Sequence, residues 1–351
     1  MKINIVSLSG DELENIIVSA GFPRFRSEQV ISWLSKGIRD FDGMSNLPKD
    51  LKVFLKTKFS IYRPEIISSY VSEEDGTQKF LWRLEDGNAV ETVLMKYKYG
   101  DSVCISTQVG CRQGCAFCAS TLDGLVRNLD AGEMLDEVFF TVRESGGALH
   151  SIVLMGIGEP LDNFDNVARF LRLINSDKGM NLGSRHITIS TCGLIDRFDD
   201  LAALNMQFNL AISLHATDDE TRKRIMPVAY RYKLDDLIKA ARNYFLKTGR
   251  RITFEYSLIN GINDSPAQAE KLADIALYVQ AHVNLIGLNY VEERDLLPTD
   301  EKDIKAFYSI LKKRNVPVSV RRKLGSDVNA SCGQLRRSCA KEITEEQSSN
   351  K

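Results

Sequence analysis

Apolar residues recur at helical spacing in three short segments within residues 1–65. In SGDELENIIVSAG, Ser9 and Glu12 stand three positions apart just before the apolar stripe, a pattern typical of a capping box. The segment RSEQVISWLSKG repeats the spacing and stops at Gly37, and LPKDLKVFLKTKF begins at Pro48, a residue type favoured at helix starts. We predict three short helices that form an N-terminal helical accessory domain over residues 1–65.

Residues 66–98 change to an alternation of apolar and polar side chains. Two Asp-Gly pairs, at Asp75 and Asp86, interrupt this alternation and are strong hairpin signals. The pattern predicts a small antiparallel β linker between the helical domain and the rest of the chain.

From about residue 99, six apolar, β-branched runs alternate with amphipathic segments. The runs are SVCIS, SIVLM, ITIST, NLAISL, ITFEYSL and VNLIGLN. Such runs are typical of strands buried on both faces, and their alternation with helices predicts a parallel sheet with right-handed crossovers. Six repeats fall short of a closed eight-fold barrel, which takes about 250 residues. We therefore predict an α/β fold, a partial (β/α)6 barrel over residues 99–338, and a disordered polar tail over 339–351.

The composition indicates the cellular setting. The 351 residues are 43% hydrophobic and 26% charged with a net charge of −1, as in ordinary soluble enzymes. No apolar run reaches the ~18 residues of a membrane span, and the N-terminus MKINIVSLSGDELENI turns acidic too early for a secretory signal. We expect a cytoplasmic protein without membrane contact, whose reduced thiols serve metal binding or catalysis rather than structural disulfides.

Positive charge is concentrated near the C-terminus. Between Lys312 and Arg337 there are eight Lys and Arg residues and one acid, Asp327. Such a run is typical of a surface that contacts the phosphates of a nucleic acid. A solvated helix end followed by an exposed loop is the alternative explanation.

Three cysteines, Cys111, Cys115 and Cys118, have the spacing C-x3-C-x2-C. A structural zinc site needs four ligands, but the next cysteine is Cys192 and no histidine follows within thirty residues of Cys118. Three thiolates instead suit a [4Fe-4S] cluster whose fourth iron stays open. An open iron can chelate S-adenosylmethionine (SAM) and pass one electron to its sulfonium. The motif also follows the first predicted barrel strand, at the end where barrel enzymes perform their chemistry.

CRQGCAFC resembles the radical-SAM signature, and the surrounding sequence resembles the RlmN/Cfr family of RNA methyltransferases. The resemblance runs from the N-terminal helices to Cys332. Its other markers are VETVLMKY, LMGIGEPLDN, ITISTCG, AISLHA, NYVEERD and NASCGQLR. It implies a radical-SAM barrel that binds a [4Fe-4S] cluster through Cys111, Cys115 and Cys118 and uses two SAM molecules per turnover.

The resemblance also implies a covalent mechanism, because an adenine ring carbon that carries only hydrogen is a poor nucleophile. One SAM methylates Cys332, and a 5′-deoxyadenosyl radical from a second SAM removes hydrogen from that methyl. The carbon radical adds to adenine, Glu91 is the implied proton acceptor, and formation of a Cys104–Cys332 disulfide releases the product. Cys332 lies between Gly325 and Gly333 in a stretch without helix or strand pattern, as expected of a mobile loop. Without the resemblance, Cys104 is simply a buried strand thiol.

Polar residues and glycines stand at the ends of the predicted strands, where barrel side chains converge. We predict that they bind the cofactor: Gly158, Glu159, Ser190, Ser213, Leu214, His215 and Asn289. Gly158 would let the backbone approach the ligand, and the Glu159 carboxylate would take the ammonium group of SAM. His215 is equally well explained as a hydrogen-bonded core histidine. Cys192 and Cys339 match no family role, so we expect a core thiol and a tail thiol.

The expected function is methylation of C2 of a specific adenosine in 23S rRNA and of the adenosine adjacent to the anticodon in tRNA. C2 is preferred over Cfr-like methylation of C8, which would confer antibiotic resistance, because DGTQKFLWRL, LMGIGEPLDN and CRQGCAFCAS look more like RlmN. A radical-SAM enzyme acting on a protein or a small molecule, and a non-catalytic cysteine–zinc RNA-binding module, are further alternatives. We expect a monomer that depends on a flavodoxin-like electron donor and a thiol reductant.

Overall fold

The computed structural model describes residues 2–335. Arg336, Arg337 and the tail over 339–351, which begins with Cys339, lie outside these residues. The helices are α1 Gly10–Ser19, α2 Phe25–Leu34, α3 Lys49–Lys58, α4 Ala131–Ser145, α5 Phe164–Asn175, α6 Phe198–Ala203, α7 Asp219–Ile225, α8 Leu234–Thr248, α9 Pro266–Val279 and α10 Glu301–Lys313. The strands are β1 Ile3–Asn4, β2 Phe59–Ser60, β3 Glu65–Val71, β4 Gln78–Arg83, β5 Ala89–Tyr97, β6 Gly100–Cys104, β7 Gln108–Gly110, β8 Leu125–Asn128, β9 Leu149–Leu154, β10 Ile187–Thr191, β11 Asn209–Ser213, β12 Thr253–Leu258, β13 His282–Gly287 and β14 Val318–Val320.

The first three helices pack around a core of their own. Ser9 and Glu12 form the predicted capping box of α1, in which Glu12 N donates to Ser9 Oγ over 3.1 Å and Ser9 N donates to Glu12 Oε2 over 2.8 Å. The inward faces bury a small apolar cluster that includes Leu13, Ile17, Val30, Leu51 and Leu55. The short parallel pair of β1 and β2 joins the two ends of this helical unit.

Polar contacts with α4 and α5 fix the helical unit to the rest of the chain. Ser7 Oγ donates to Asp130 Oδ1 over 3.0 Å at the start of α4, and Arg169 Nε of α5 donates to the Ser7 carbonyl over 2.6 Å. Arg63 and Asp136 form a buried ion pair between the two parts.

A ten-stranded sheet organises the rest of the fold, in the order β14-β13-β12-β11-β10-β9-β6-β5-β4-β3. From β6 to β14 neighbouring strands are parallel, as the alternation of apolar runs and helices predicts. The α/β partial barrel is therefore confirmed, and β14 adds a short seventh parallel strand to the six predicted. The edge strands β14 and β3 are not neighbours, so the sheet of the described residues is open.

The strands predicted as a linker continue this sheet. β3, β4 and β5 pair in antiparallel fashion, and β5 also pairs with β6, so that Val93 lies opposite Cys104. Backbone pairing thus runs across residue 98, and the division of the chain into domains remains a prediction. Between residues 2 and 335, no helix has the length and apolar character needed to cross a membrane.

Candidate active site

The three motif cysteines lie on the cysteine loop, residues 111–124, which connects β7 to β8. A glycine is needed at its start, because Gly110 has a φ of +75° and an added Cβ would lie 1.9 Å from the carbonyl oxygen of Gly124. Cys111 N donates to that same carbonyl over 3.1 Å. The two ends of the loop are therefore closed tightly against each other.

A cavity lies between the cysteine loop and the carboxyl ends of the parallel strands. It encloses about 950 Å³ of empty space, counting the part open to solvent. Ten of the residues predicted from sequence line it: Cys111, Cys115, Cys118, Gly158, Glu159, Ser190, Ser213, His215, Asn289 and Cys332. Parallel strands of one sheet end at the same edge, which is why residues far apart in the sequence converge there.

Cys332 reaches this cavity on the Cys332 loop, residues 325–335, which packs directly on the cysteine loop. Asn289 Nδ2 donates to the Cys332 carbonyl over 2.9 Å. Ala119 N donates to the Gly333 carbonyl over 2.8 Å, and Ser120 Oγ donates to the Leu335 carbonyl over 2.7 Å. The two cysteine-bearing segments are thus joined by hydrogen bonds around one cavity.

Cys104 ends β6 behind the Cys332 loop. It is buried in an apolar cluster with Val93 of β5 and with Ala330 and Leu335 of the loop. Burial, and then the nearby Cys332 thiol, raise the pKa of Cys104 to about 12. Both thiols are free. Cys104 does not line the cavity, but it lies close enough to Cys332 for negative charge on that sulfur to raise the pKa of Cys104.

Comparisons with known proteins agree with this arrangement. Residues 105–273 match the model of the radical SAM superfamily, and residues 3–61 match the N-terminal domain of ribosomal RNA large subunit methyltransferases. The chain is 48% identical to the "Probable dual-specificity RNA methyltransferase RlmN" of Clostridium novyi over 95% of this chain and 98% of that protein. The corresponding protein of Clostridium perfringens is 49% identical over 96% of this chain and 98% of its own.

A crystal structure of a radical SAM methyltransferase from Sphaerobacter thermophilus has a TM-score of 0.89 and 41% identity, and covers 95% of this chain and 99% of that one. The chain belongs to the RlmN family of radical-SAM RNA methyltransferases. Membership in this family implies a [4Fe-4S] cluster and SAM as cofactors. The resemblance seen in the sequence is thereby confirmed.

The three thiols of this RlmN-family chain fit an iron–sulfur cluster chemically. All three are free, and burial raises the pKa of Cys111 to about 12 and that of Cys115 and Cys118 above the usual range. Each therefore stays a neutral thiol until a metal takes the place of its proton. Among residues 2–335, no three His, Cys, Asp or Glu side chains converge to hold a single metal ion. A cluster instead takes each thiolate on a different iron.

Glu159 and Gly158 are held by backbone contacts at the end of β9. The Glu159 carboxylate accepts from Cys192 N over 2.7 Å and from Leu161 N over 3.0 Å, and burial raises its pKa despite these bonds. Gly158 has a φ of +111°, and an added Cβ would lie 2.7 Å from Gln108 Cβ. An added Cβ at Gly158 would thus meet the chain itself, and the approach of the Gly158 backbone to the cofactor remains a prediction.

His215 is both a hydrogen-bonded core histidine and a lining residue. Its Nδ1 accepts from Ser257 N over 2.9 Å, and its ring meets Phe117 edge-on with the centroids 4.9 Å apart. Burial, and then Arg222, lower the pKa of His215 to about 3, so the imidazole is neutral at physiological pH. These contacts support the explanation as a hydrogen-bonded core histidine, and cofactor binding by His215 remains a prediction.

Besides Cys104, two sequence-predicted residues lie away from the cavity wall. The Leu214 side chain is fully buried in the main core. Its backbone N donates to the Glu255 carbonyl over 3.1 Å. Glu91 is 1% exposed, and its carboxylate lies 3.3 Å from the ammonium nitrogen of Lys79. Lys79 also donates to the Asn329 carbonyl over 3.4 Å, which places the ion pair beneath the Cys332 loop.

Two arginines of the basic run near the C-terminus lie in different surroundings. Arg321 lines the cavity, with Nη1 at 3.4 Å from Met155 Sδ and at 4.0 Å from Glu255 Oε2. Arg314 directly follows α10 and pairs with Glu270 and Asp274. That the run forms a phosphate-contacting surface remains a prediction.

Sequence reasoning missed several lining residues: Met155, Cys192, Met226, Glu255 and Arg321. Cys192 directly follows a predicted strand, so the strand-end rule could have found it. Arg321 follows β14, whose three residues are too short to show a pattern.

Proposed function

We propose that this protein methylates C2 of a specific adenosine in 23S rRNA and of the adenosine adjacent to the anticodon in tRNA. The observation that carries the proposal is that Cys332 opens onto the same cavity as Cys111, Cys115 and Cys118, with Cys104 behind it. A methyl carrier that must meet both SAM and a nucleobase needs this arrangement. The names of the relatives support an RNA substrate.

In this proposal Cys111, Cys115 and Cys118 hold the cluster, and residues at the strand ends hold SAM. When bound, the cluster supplies the electron that splits SAM into methionine and a 5′-deoxyadenosyl radical. Glu159, whose buried carboxylate faces the cavity, binds the ammonium group of SAM. The remaining lining residues orient the cofactor: Gly158, Ser190, Ser213, His215 and Asn289.

Cys332 carries the one-carbon unit. Its thiolate attacks the methyl carbon of a first SAM, forms the new bond between sulfur and carbon, and displaces S-adenosylhomocysteine. The 5′-deoxyadenosyl radical from a second SAM then takes one hydrogen atom from that methyl, and the resulting carbon radical bonds to C2 of adenine. Asn289 orients the segment through its hydrogen bond to the Cys332 carbonyl.

Glu91 and Cys104 finish the reaction in this proposal. The radical adduct gives one electron to the oxidised form of the flavodoxin-like carrier that serves the cluster, and Glu91 takes the proton from C2. The Glu91 carboxylate lies 3.3 Å from the Lys79 ammonium nitrogen, and a neighbouring positive charge favours the ionised form that can accept a proton. The Cys104 thiol attacks the Cys332 sulfur and loses its proton, the bond between that sulfur and the methylene carbon breaks, and the carbon takes up one proton. A Cys104–Cys332 disulfide remains.

Partners and setting follow from this chemistry. The cycle needs a flavodoxin-like electron donor for the cluster and a thiol reductant for the disulfide, both of which suit a cytoplasmic monomer. The helical unit of residues 1–65 binds the RNA, and Arg24, Lys49 and Lys52 are among the cations that would contact its phosphates.

Mass spectrometry of nucleosides from cells with and without the protein tests the product. We expect 2-methyladenosine in digested 23S rRNA and tRNA only when the protein is present. A Cys332→Ala variant should abolish it while the cluster content stays normal. The appearance of 8-methyladenosine instead, or full activity of the Cys332→Ala variant, would contradict the proposal.

A further inference from the structure

Arg222 of α7 is a buried cation next to the candidate cluster site. Its exposed fraction is 0%. Nη2 donates to the Cys192 carbonyl over 2.7 Å and Nε donates to the Leu214 carbonyl over 3.3 Å, so its partners are neutral peptide groups. Nη1 is also buried and has no hydrogen-bond partner within residues 2–335.

The guanidinium has no close counter-charge. None of the salt bridges within the described part of the chain includes Arg222. Asp219 on the same helix accepts from Leu234 N over 2.7 Å instead, and the Glu159 carboxylate is bound to the amide of Cys192. Burying a charge without an opposite charge costs several kcal/mol, so a compensating anion is expected nearby.

α7 is attached directly to the cysteine loop. Ile225, one turn after Arg222, accepts from Ala116 N over 2.9 Å. Ile225, Cys115 and Cys192 share one apolar cluster beneath the cavity. Burial lowers the pKa of Arg222, and negative charge on Cys192 or Cys115 counteracts that effect. The cation therefore lies within electrostatic reach of the loop.

We propose that Arg222 is the buried counter-charge of the iron–sulfur cluster and sets its reduction potential. Three thiolates give a bound [4Fe-4S] core a net negative charge, and reduction adds one more electron. A fixed cation under the loop stabilises the reduced form more than the oxidised form, because the attraction grows with the anionic charge. Arg222 thus makes the cluster easier to reduce. The inference rests on the proposed cluster site and not on the RNA substrate.

A redox titration of the anaerobically reconstituted holoenzyme, without SAM, tests this inference through the EPR signal of the reduced cluster. Arg222→Met and Arg222→Gln remove the charge, and Arg222→Lys keeps it. Arg224→Met is the matched control, because it removes an exposed charge from the same helix. We expect the reduction equilibrium of the two neutral variants to fall about tenfold, a shift of about 59 mV for a one-electron couple. Arg222→Lys and Arg224→Met should keep the wild-type potential.

The iron content, fold and potential of the variants together support or overturn the role of Arg222 as the counter-charge. Neutral variants with normal iron content and an unchanged potential would overturn the inference, as would a Lys variant shifted as far as the Met variant. Neutral variants that are folded by circular dichroism without iron, yet lose the cluster that Arg222→Lys retains, would support it. Neutral variants that are unfolded even without iron would assign Arg222 to the fold alone and overturn it. A wild-type protein that binds no iron would instead overturn the cluster site itself, so the two failures are distinguishable.

Discussion

Replacing Cys104 by alanine is expected to stop the reaction after the new carbon–carbon bond has formed. Cys104 is 7% exposed and packs with Val93, Ala330 and Leu335 beneath the Cys332 loop. The proposed release step needs a sulfur nucleophile at this position, and alanine provides none. We therefore expect the variant to accumulate a covalent adduct in which Cys332 is bound to RNA through a methylene group.

The Cys104→Ala substitution should have a small effect on stability and a large effect on turnover. Removing one buried sulfur atom leaves a space of about one heavy atom, which costs ~1 kcal/mol of unfolding free energy. In a chain of 351 residues, whose unfolding entropy is about 2.1 cal/mol/K per residue, that loss lowers Tm by roughly 1–2 °C. Turnover should fall at least ~10³-fold, because losing a nucleophile removes a whole step rather than weakening it. A folded, cluster-bearing and inactive protein is the expected result.

The assay is an anaerobic reaction with SAM, a reductant and an rRNA fragment, followed by a denaturing gel and mass spectrometry. The adduct should migrate as a protein–RNA crosslink, and nuclease and protease digestion should place it on Cys332. Cys104→Ser should trap the same species. Val93→Ala removes apolar packing from the same cluster but keeps the thiol, so it should lose stability without trapping an adduct.

Two results would refute this reasoning. The first is multiple turnover by Cys104→Ala at a rate within tenfold of the wild-type protein. The second is a crosslink that maps to a cysteine other than Cys332. The first result would remove Cys104 from the release step, the second would remove Cys332 from the role of methyl carrier, and both would leave the cluster assignment intact.

Three further predictions concern the loop, the helical unit and pH. Gly110→Ala should lose most bound iron because its added Cβ would lie 1.9 Å from the carbonyl oxygen of Gly124. Gly124→Ala is the control: its φ of +66° gives it a similar backbone strain, but its added Cβ meets no atom within 4 Å, so it should retain more iron than Gly110→Ala. Equal iron content of the two variants would contradict this. Arg63→Met should lower the unfolding free energy by about 3–5 kcal/mol in urea denaturation, since it leaves the buried Asp136 carboxyl without its cation, and a loss under about 1 kcal/mol would refute it. Burial raises the pKa of Glu137 from 4.5 to about 8, so the folded state keeps a proton that the unfolded state releases, and this group's contribution to stability falls as pH rises through that window. Glu137→Gln should flatten that fall in urea titrations at several pH values, and parallel curves for the two proteins would argue against it.

Most of the fold can be predicted from the sequence because its strands are buried on both faces. The six apolar runs leave few other structures open, and helices between them dictate parallel pairing. β14 is missed because Val318–Val320 is too short to show a period. β7 and β8 are missed for a different reason: they pair only because Gly110 and Gly124 allow the cysteine loop to close.

The site is predictable to the extent that strand ends point at one edge of the sheet. Ser213, the last residue of β11, lines the cavity, and so does His215 two positions later. Leu214 between them is fully buried in the core. His215 has a φ of +53°, so the chain leaves the extended conformation there and the strand-end rule no longer separates lining residues from core residues. The burial of Arg222 cannot be predicted from a local sequence pattern, because it depends on where α7 packs against the cysteine loop.

The Cys332 loop is anchored at its other end to the turn between β3 and β4. Gly325 N donates to Asp75 Oδ2 over 2.9 Å, and Glu73 N donates to Asp327 Oδ2 over 3.0 Å, across about 250 positions of sequence. Substitutions in that small hairpin will therefore alter a segment whose sequence they never touch. Chimaeras between relatives should take both pieces from one parent, and mutant libraries aimed at new substrates should randomise them jointly.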